Sequence, residues 1–419
     1  MSAGTVAPAE VAPQHVESGI GDEVRAFVAK VRGGDVGSLP AVLGLVVLVA
    51  VFSALRPETF TNAFNFANLI HQAVSVMVIA MGLVFVLLLG EIDLAAGFTA
   101  GTAAAVLGIL ATQRGLPWYV AVVGCLVTGA VIGAIIGLLV ARLGIPSFVV
   151  TLAAFLALQG VLLRLIGEGG TVSINNDTLL AINNNDLPVW AGWVLYVLVV
   201  AGSGLLSLRR LLTRRRTGLR VQSMQVWAIK TGALALLLGL VTYYLSIERS
   251  PNPLSNSLKG VPVVVVLMLL LLVGLTFVLT RTAFGRHVYA TGGNMEAARR
   301  AGINVQRVRL TCFIISSTLA AVAGILLASR NNGITPSTGG GQTLLYAVGA
   351  AVIGGTSLFG GKGRVVDAIF GGLAIAVIDN GMGLLNQPSS TVFIVTGIVL
   401  LLAASVDAIS RRRAAATGR

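Results

Sequence analysis

Apolar runs long enough to cross a bilayer recur along most of this chain, and no other feature constrains its fold as much. A transmembrane helix needs roughly 20 predominantly apolar residues. Such segments can be drawn at 39–55, 67–90, 95–112, 117–141, 146–166, 189–208, 224–246, 261–280, 310–329, 343–359, 366–386 and 391–409. Of the 419 residues, 56% are hydrophobic and 11% charged, where a soluble domain carries about 25% charged residues. In water, that much apolar surface would demand a core beyond the roughly 250–300 residues at which single cores stop growing. The mean hydropathy of +0.91 agrees. The sequence therefore predicts an all-α, polytopic integral membrane protein of about twelve transmembrane helices, with interrupted helices near a pathway. Segments 95–112 and 343–359 are short and Gly-rich, so counts of ten or eleven full spans stay open.

The net charge of +13 arises from 29 Lys and Arg against 16 Asp and Glu. Its distribution reports topology, because Lys and Arg concentrate in short cytoplasmic loops. With a cytoplasmic N-terminus and alternating spans, 22 of the 29 cations fall inside and six outside, with Lys230 within a span. Both termini are then cytoplasmic. Residues 1–38 read as a disordered cytoplasmic tail with one short helix near Glu23 to Val31 and no signal peptide. A transmembrane domain follows over 39–410, with a basic cytoplasmic tail at 411–419. Cys125 and Cys312 lie in apolar runs, which suits buried thiols rather than a disulfide framework or a metal cluster. The Asn-rich loop Gly167 to Pro188 and the loop Ser250 to Gly260 fall outside, where they can meet an external partner.

Ionisable groups at membrane depth are costly enough to be functional candidates. Leu89 to Gly101, LGEIDLAAGFTAG, places Glu91 and Asp93 between two apolar runs, and Gly90, Gly97 and Gly101 allow a helix break. The segment is either a path-lining broken helix or a short cytoplasmic turn. Interrupted segments mark transporter sites, which favours the first. Ile353 to Arg364, IGGTSLFGGKGR, is a second interrupted segment in which Gly354, Leu358 and Gly361 echo Gly90, Leu94 and Gly97. It is no phosphate-binding loop, because Thr356 and Gly363 stand where that pattern needs Gly and Ser or Thr. ATP use is thereby assigned to another chain.

Within the spans, Asn65, Asn68 and Gln72 share a helix face with His71 beside it. That face suits hydrogen bonds to a polyhydroxylated substrate or bonds between helices. Asp379 and Asn380 are the better pathway residues, since a mid-span carboxylate is rarer than a polar face. The candidate translocation pathway is thus Gln72, Glu91, Asp93, Gly97, Asp379 and Asn380. Gly129, Gly133 and Gly137 form a tandem GxxxG stripe, suited to close helix packing.

The loop Arg281 to Arg309 contains a short helix with clear punctuation. Asn294 can cap it, Glu296 suits its first turn, Arg299 and Arg300 its last, and Gly302 its left-handed stop. Its small apolar side chains suit docking into a groove on a soluble partner, while its arginines would also suit anionic lipid.

The segments GEIDLAAG, FGRHVYATGGNMEAARRAGINV and GGTSLFGGKGRV with IDNGMGLL resemble the permease subunit of a monosaccharide ABC importer of the ribose/xylose type, over about 40–410. The resemblance implies a bacterial inner-membrane protein that is no enzyme and binds no cofactor, ATP and Mg being used by a partner ATPase. It implies an extracytoplasmic sugar-binding protein and a second permease copy as further partners. It makes 281–309 the coupling loop that docks on the ATPase, through Gly292, Gly293, Asn294, Glu296, Ala297, Ala298, Arg299, Gly302 and Ile303. The spans within 189–246 resemble a helix pair inserted in xylose-type members, which favours xylose. Where such permeases commonly read GGIDLS, this chain has Glu91 in place of Gly and Ala95 in place of Ser, and Asp367 and Asp379 are unexpected charges. The rival readings are an ion-coupled secondary transporter using Glu91, Asp93 or Asp379, and a polytopic enzyme acting on lipid-linked sugars, for which His15, His71 and His287 are too scattered.

Overall fold

The computed structural model describes residues 17–18, 21, 25, 29, 38–217, 221–250, 253 and 257–416. Most of the expected tail, including most of the helix near Glu23 to Val31, lies outside the described residues.

Every apolar segment of the sequence forms a helix. The principal helices are α1 (Leu39–Leu55), α2 (Ala63–Leu88), α3 (Ala96–Gly108, continued by a π turn to Gln113), α4 (Trp118–Ala141), α5 (Ser147–Ile166), α6 (Asp177–Asn184), α7 (Val189–Arg216) and α8 (Met224–Ser246). They continue with α9 (Val264–Arg281), α10 (Ala283–Gly293), α11 (Met295–Arg300), α12 (Val305–Arg330), α13 (Gly341–Gly354), α14 (Val365–Leu384) and α15 (Ser389–Ala416). Among the described residues, nine helices are long and apolar enough to cross a membrane. The expected twelve full spans are not reached: α1, α13 and the apolar part of α15 are shorter. In α1 the helix stops before Pro57, and in α15 the apolar stretch gives way to the basic end. Before α13 a run of tight turns, residues 335–340, stands in place of the missing helical turns.

The core is built around α2, with α12 and α14 against it. Burial is 78% along the apolar window of α2 and 6% along that of α8, which makes α2 the axis of the bundle and α7 and α8 its rim. The rim helices pack chiefly on each other, joined by the Trp227 indole donating to Ser207 at 2.9 Å. Small residues allow the tightest contact of the core. A Cβ on Gly129 would stand 2.6 Å from the Ser317 carbonyl, one on Gly133 2.5 Å from that of Phe313, and one on Gly137 2.8 Å from the Leu310 side chain. The GxxxG stripe is thus where α4 meets α12.

Two spans are broken, in opposite senses. After α2 the chain does not turn back as a helix. Residues 90–95 run as a non-helical segment into the bundle: Glu91 meets Arg309 near the start of α12, Asp93 reaches Ser316 at its middle, and Ala100 abuts Gly324. The expected break at Leu89 to Gly101 is therefore a re-entrant limb, and α3 completes the span from the interior outward. On the far side of α3, β1 (Val172–Ser173) pairs antiparallel with β2 (Gly333–Ile334). From there residues 335–340 descend along α3, with the Thr338 and Gly339 carbonyls against Gly101 and Gly97. Helix α13 then starts inside and runs about 21 Å, at 1.5 Å per residue, to the end where the first limb began. The second break therefore lies at 335–340. The interrupted segment expected at 353–364 is instead the turn after α13, where Gly355 adopts φ +114° and Gly361 donates to the Leu88 carbonyl at 2.9 Å.

The seam between the broken spans leaves no room for a side chain at Gly101. Gly101→Ala is expected to lower stability by about 1–3 kcal/mol, the usual effect of overpacking. Gly160→Ala, inside α5 with nothing within 4 Å of its Cβ, should not lower it and should gain up to about 1 kcal/mol from helix propensity. Thermal unfolding of the two purified proteins in one detergent compares them.

Candidate functional site

The re-entrant limb carries two of the ionisable candidates, and the fold uses them differently. In the membrane interior an unpaired backbone group costs several kcal/mol, and a non-helical limb has no helix to pair its own. Side chains of α5 supply the partners: the Ser147 hydroxyl accepts from the Ile92 amide at 3.3 Å, and the Thr151 hydroxyl donates to the Ile92 carbonyl at 3.2 Å. Asp93, 1% exposed, accepts from the Ala95 amide at 3.0 Å and from the Ser316 hydroxyl at 2.9 Å. It thereby ties the first turn of α3 to α12. Glu91 pairs with Arg309, both largely enclosed. Gly97 serves close packing, since a Cβ there would overlap the Gly339 carbonyl.

Gln72, Asp379 and Asn380 gather elsewhere, toward the opposite end. Asn65 and Asn380 exchange two amide bonds of 2.9 Å, and the Asn380 amide also donates to Gln72 at 3.3 Å. The polar face expected on α2 is divided among three neighbours: Asn65 and Gln72 turn to α14, Asn68 accepts from Arg330 at 3.4 Å, and His71 contacts Asn183 at 3.2 Å. Asp379 is exposed. It accepts from the Tyr346 hydroxyl at 3.1 Å, to which exposed Gln342 donates in turn at 3.0 Å. Asp367, unexplained by sequence, accepts from the Arg364 amide at 2.8 Å and from its guanidinium at 3.0 Å, which satisfies the start of α14.

At the end where the limb begins, α10 and α11 project from the bundle. The Asn294 carboxamide accepts from the Ala297 amide at 2.9 Å, Glu296 pairs with Arg299 and Arg300, and Gly302 adopts φ +82°. The short helix and its punctuation are as the sequence predicts, whereas α10 before it carried no stated signal. Gly293, Asn294, Glu296, Ala297, Arg299 and Gly302 are exposed, Gly292 and Ile303 are half-buried, and Ala298 is buried. Gly292 is wedged so that a Cβ would overlap the Leu88 carbonyl at the end of α2, 2.9 Å from the Gly361 amide. The Tyr289 hydroxyl donates to the Gly363 carbonyl at 2.8 Å. The projecting helices are therefore braced on the point where α2 passes into the limb.

At the opposite end the two polar loops are knitted together. Arg249, 2% exposed, pairs with Asp186 at 2.6 Å and donates to the Leu245 and Gly260 carbonyls. Asn183 of α6 is fully enclosed, its amide donating to the Leu326 carbonyl at 3.2 Å. None of Ser147, Thr151, Ser316 or Arg249 stood out as a site residue in the sequence, and Asn183 was legible only as part of an Asn-rich loop, because their roles exist only once distant segments meet.

A family model described as branched-chain amino acid transport system / permease component matches residues 65–404. The chain is similar to the xylose transport system permease protein of Escherichia coli, 36% identical over 89% of this chain and 92% of that one. It is also similar to the ribose import permease protein of Escherichia coli, 30% identical over 88% and 92%. With the D-allose transport system permease protein of the same organism the identity is 27% over 87% and 89%. No solved structure matches the chain.

Two measurements probe these contacts. Glu91→Lys should destabilise the protein by about 3 kcal/mol by leaving Arg309 unpaired, and adding Arg309→Glu should recover most of the loss, read as unfolding temperatures. In the loop after α8, the Ser257 hydroxyl and neighbouring backbone amides hold Glu248 down at about 2 from 4.5. A lowered pKa stabilises the folded loop above the unfolded value and is lost as the carboxylate protonates. Amide exchange at Ser250 and Leu258 should therefore accelerate as pH falls from about 4.5 to 2, after correction for intrinsic rates, and Glu248→Gln should remove that dependence.

Proposed function

The chain belongs to this family of transport permease components, and we propose that it forms the membrane pathway of an ATP-driven monosaccharide importer. Xylose is the first choice of sugar, since the xylose permease is more similar to this chain than the ribose or allose permeases with which it was compared. A separate ATPase hydrolyses ATP with Mg, an extracytoplasmic binding protein delivers the sugar, and a second copy of this chain completes the pathway. Helices α10 and α11 face the cytoplasm together with both termini, in the inner membrane of a bacterium.

The observation that carries this reading is the wedge at Gly292. It places an exposed, capped helix in backbone contact with the root of the re-entrant limb, so a push on α11 is delivered to the limb without passing through flexible chain. The pathway residues follow from the cost of charge in lipid. A carboxylate facing hydrocarbon at a span centre costs about 2.5–3.5 kcal/mol on insertion scales. Exposed Asp379, with Gln342 on the neighbouring helix, therefore suits a water-filled route between two copies better than a lipid face. Gln72 and Asn380 continue that polar lining inward. The enclosed Asp93 holds the limb and Glu91 latches it to α12, which makes both positioning residues of the pathway rather than its lining.

The motion needs an ATPase whose nucleotide states differ in affinity for the helix. Ala297→Trp and the double change Glu296→Lys with Arg299→Glu alter exposed positions only, so the permease should stay folded. Each should cut ATP-driven xylose uptake about tenfold or more in vesicles holding the assembled importer, a loss of at least 1.4 kcal/mol in coupling. Uptake by the permease alone, driven by a proton or sodium gradient, would refute the ATP-driven reading.

A further inference from the structure

We propose that the arginine-rich end of α7 is a binding site for an anionic phospholipid. With 28 residues, α7 is about 42 Å long at 1.5 Å per residue. A hydrocarbon layer about 30 Å thick takes roughly the first 20 of them, through Leu208. The remainder, 209–216, stays helical at the level of the headgroups and carries Arg209, Arg210, Arg214, Arg215 and Arg216. The start of α7 is fixed among the enclosed loops. There the Leu187 amide donates to the Val261 carbonyl at 2.7 Å, and a Cβ on Gly192 would lie 3.0 Å from the Val261 side chain. The arginines therefore emerge at the other end of the bundle, the one that bears α10 and α11.

Arg209, Arg210, Arg214 and Arg216 are exposed and make no ion pair among the described residues. Arg215 is half-buried and already engaged. No Asp or Glu occurs between 189 and 246, so α7 and α8 contain nothing to neutralise these charges. Arg210 and Arg214 stand four residues apart on one face, a spacing at which like charges destabilise a helix. A phosphate between them removes that repulsion and accepts two parallel bonds from a guanidinium.

The surface beneath the charges makes the occupant a lipid rather than a soluble anion. Leu205 and Leu206, 59% and 58% exposed, precede Arg209 and Arg210 by one turn on the same faces. Helices α7 and α8 pack chiefly on each other, so the bundle leaves these leucines uncovered. A phosphate held by the arginines lays its acyl chains along them, as basic clusters just beyond a span recognise anionic lipid. Orientation in the membrane is served by any Lys or Arg of a short loop and asks for no leucines below the charges. Just past the cluster, residues 17–18 pair in parallel with 221–222, which makes the N-terminal segment the rival occupant.

The test titrates dioleoylphosphatidylglycerol into the detergent-purified full-length protein and counts bound lipid by native mass spectrometry. One phosphatidylglycerol per chain should be retained at concentrations where phosphatidylcholine is not. The combined variant Arg209→Gln, Arg210→Gln, Arg214→Gln and Arg216→Gln should bind it about tenfold more weakly or worse, at unchanged unfolding temperature. Lys at the same four positions keeps the charge and should lose less. Arg142→Gln, Arg281→Gln, Arg286→Gln and Arg307→Gln together remove as many exposed charges at the same end and should bind as the parent does. Equal retention of the two lipids, or equal loss in both glutamine variants, overturns the site and leaves a diffuse attraction. Displacement by millimolar glycerol 3-phosphate would make the occupant a free phosphate. Binding that appears only after residues 1–29 are removed would make it the N-terminal segment, and either result overturns the lipid assignment.

Discussion

The structure depends on how backbone polar groups are satisfied where water is absent. A continuous helix meets that demand by itself, but a limb that enters the bundle as a non-helical segment does not. Residues 90–95 are possible at that depth because Ser147 and Thr151 of α5 take the place of a ladder, and because Asp93 closes the first turn of α3. The second limb, 335–340, is anchored by a two-residue strand pair at its outer end and by the hydroxyls of Thr335, Ser337 and Thr338 among themselves. Remove these partners and both broken spans would have to become ordinary helices or leave the membrane.

Broken spans give the protein something that straight helices lack. Their helical halves begin in the interior, where Gly97, Gly101, Gly339 and Gly340 allow backbone to lie on backbone. Packed interiors respond to force by switching between arrangements rather than by gradual deformation. Beside α2, the limb is pinned by one ion pair and a few hydroxyl bonds. It is also the element on which the projecting helices bear through Gly292. The projecting helices are thus joined to the limb and to α12 by a short chain of direct contacts, from α10 through the end of α2.

Both ends of the bundle are polar, but for different reasons. The end bearing α10 and α11 is exposed and punctuated by caps and by left-handed glycines. The opposite end is enclosed: Arg249 and Asp186 bury their charges together, and Asn183 spends its amide on α12. Between the two, Asp379 and Gln342 stand on the outside of the helices. Asp379 has the Tyr346 hydroxyl as a partner within the bundle, and its exposed face needs water or a further polar group beside it.

The sequence by itself determined the class of fold, because apolar length and charge distribution admit few alternatives in a chain this poor in charge. It also determined the cap, the acidic first turn and the Gly302 stop of α11, since these are local and follow from backbone geometry. The break near Glu91 was legible for the same reason, from carboxylates and glycines between apolar runs. Only the tertiary structure decided that this break is a non-helical limb, that the second break lies at 335–340 rather than at 353–364, and that α13 is a partial span. Only it divided the face of Asn65, Asn68, His71 and Gln72 among three partners and paired Arg249 with Asp186. Local signals report what a segment can do alone, whereas hydrogen bonds across a membrane interior depend on which distant segments come to share a dry boundary.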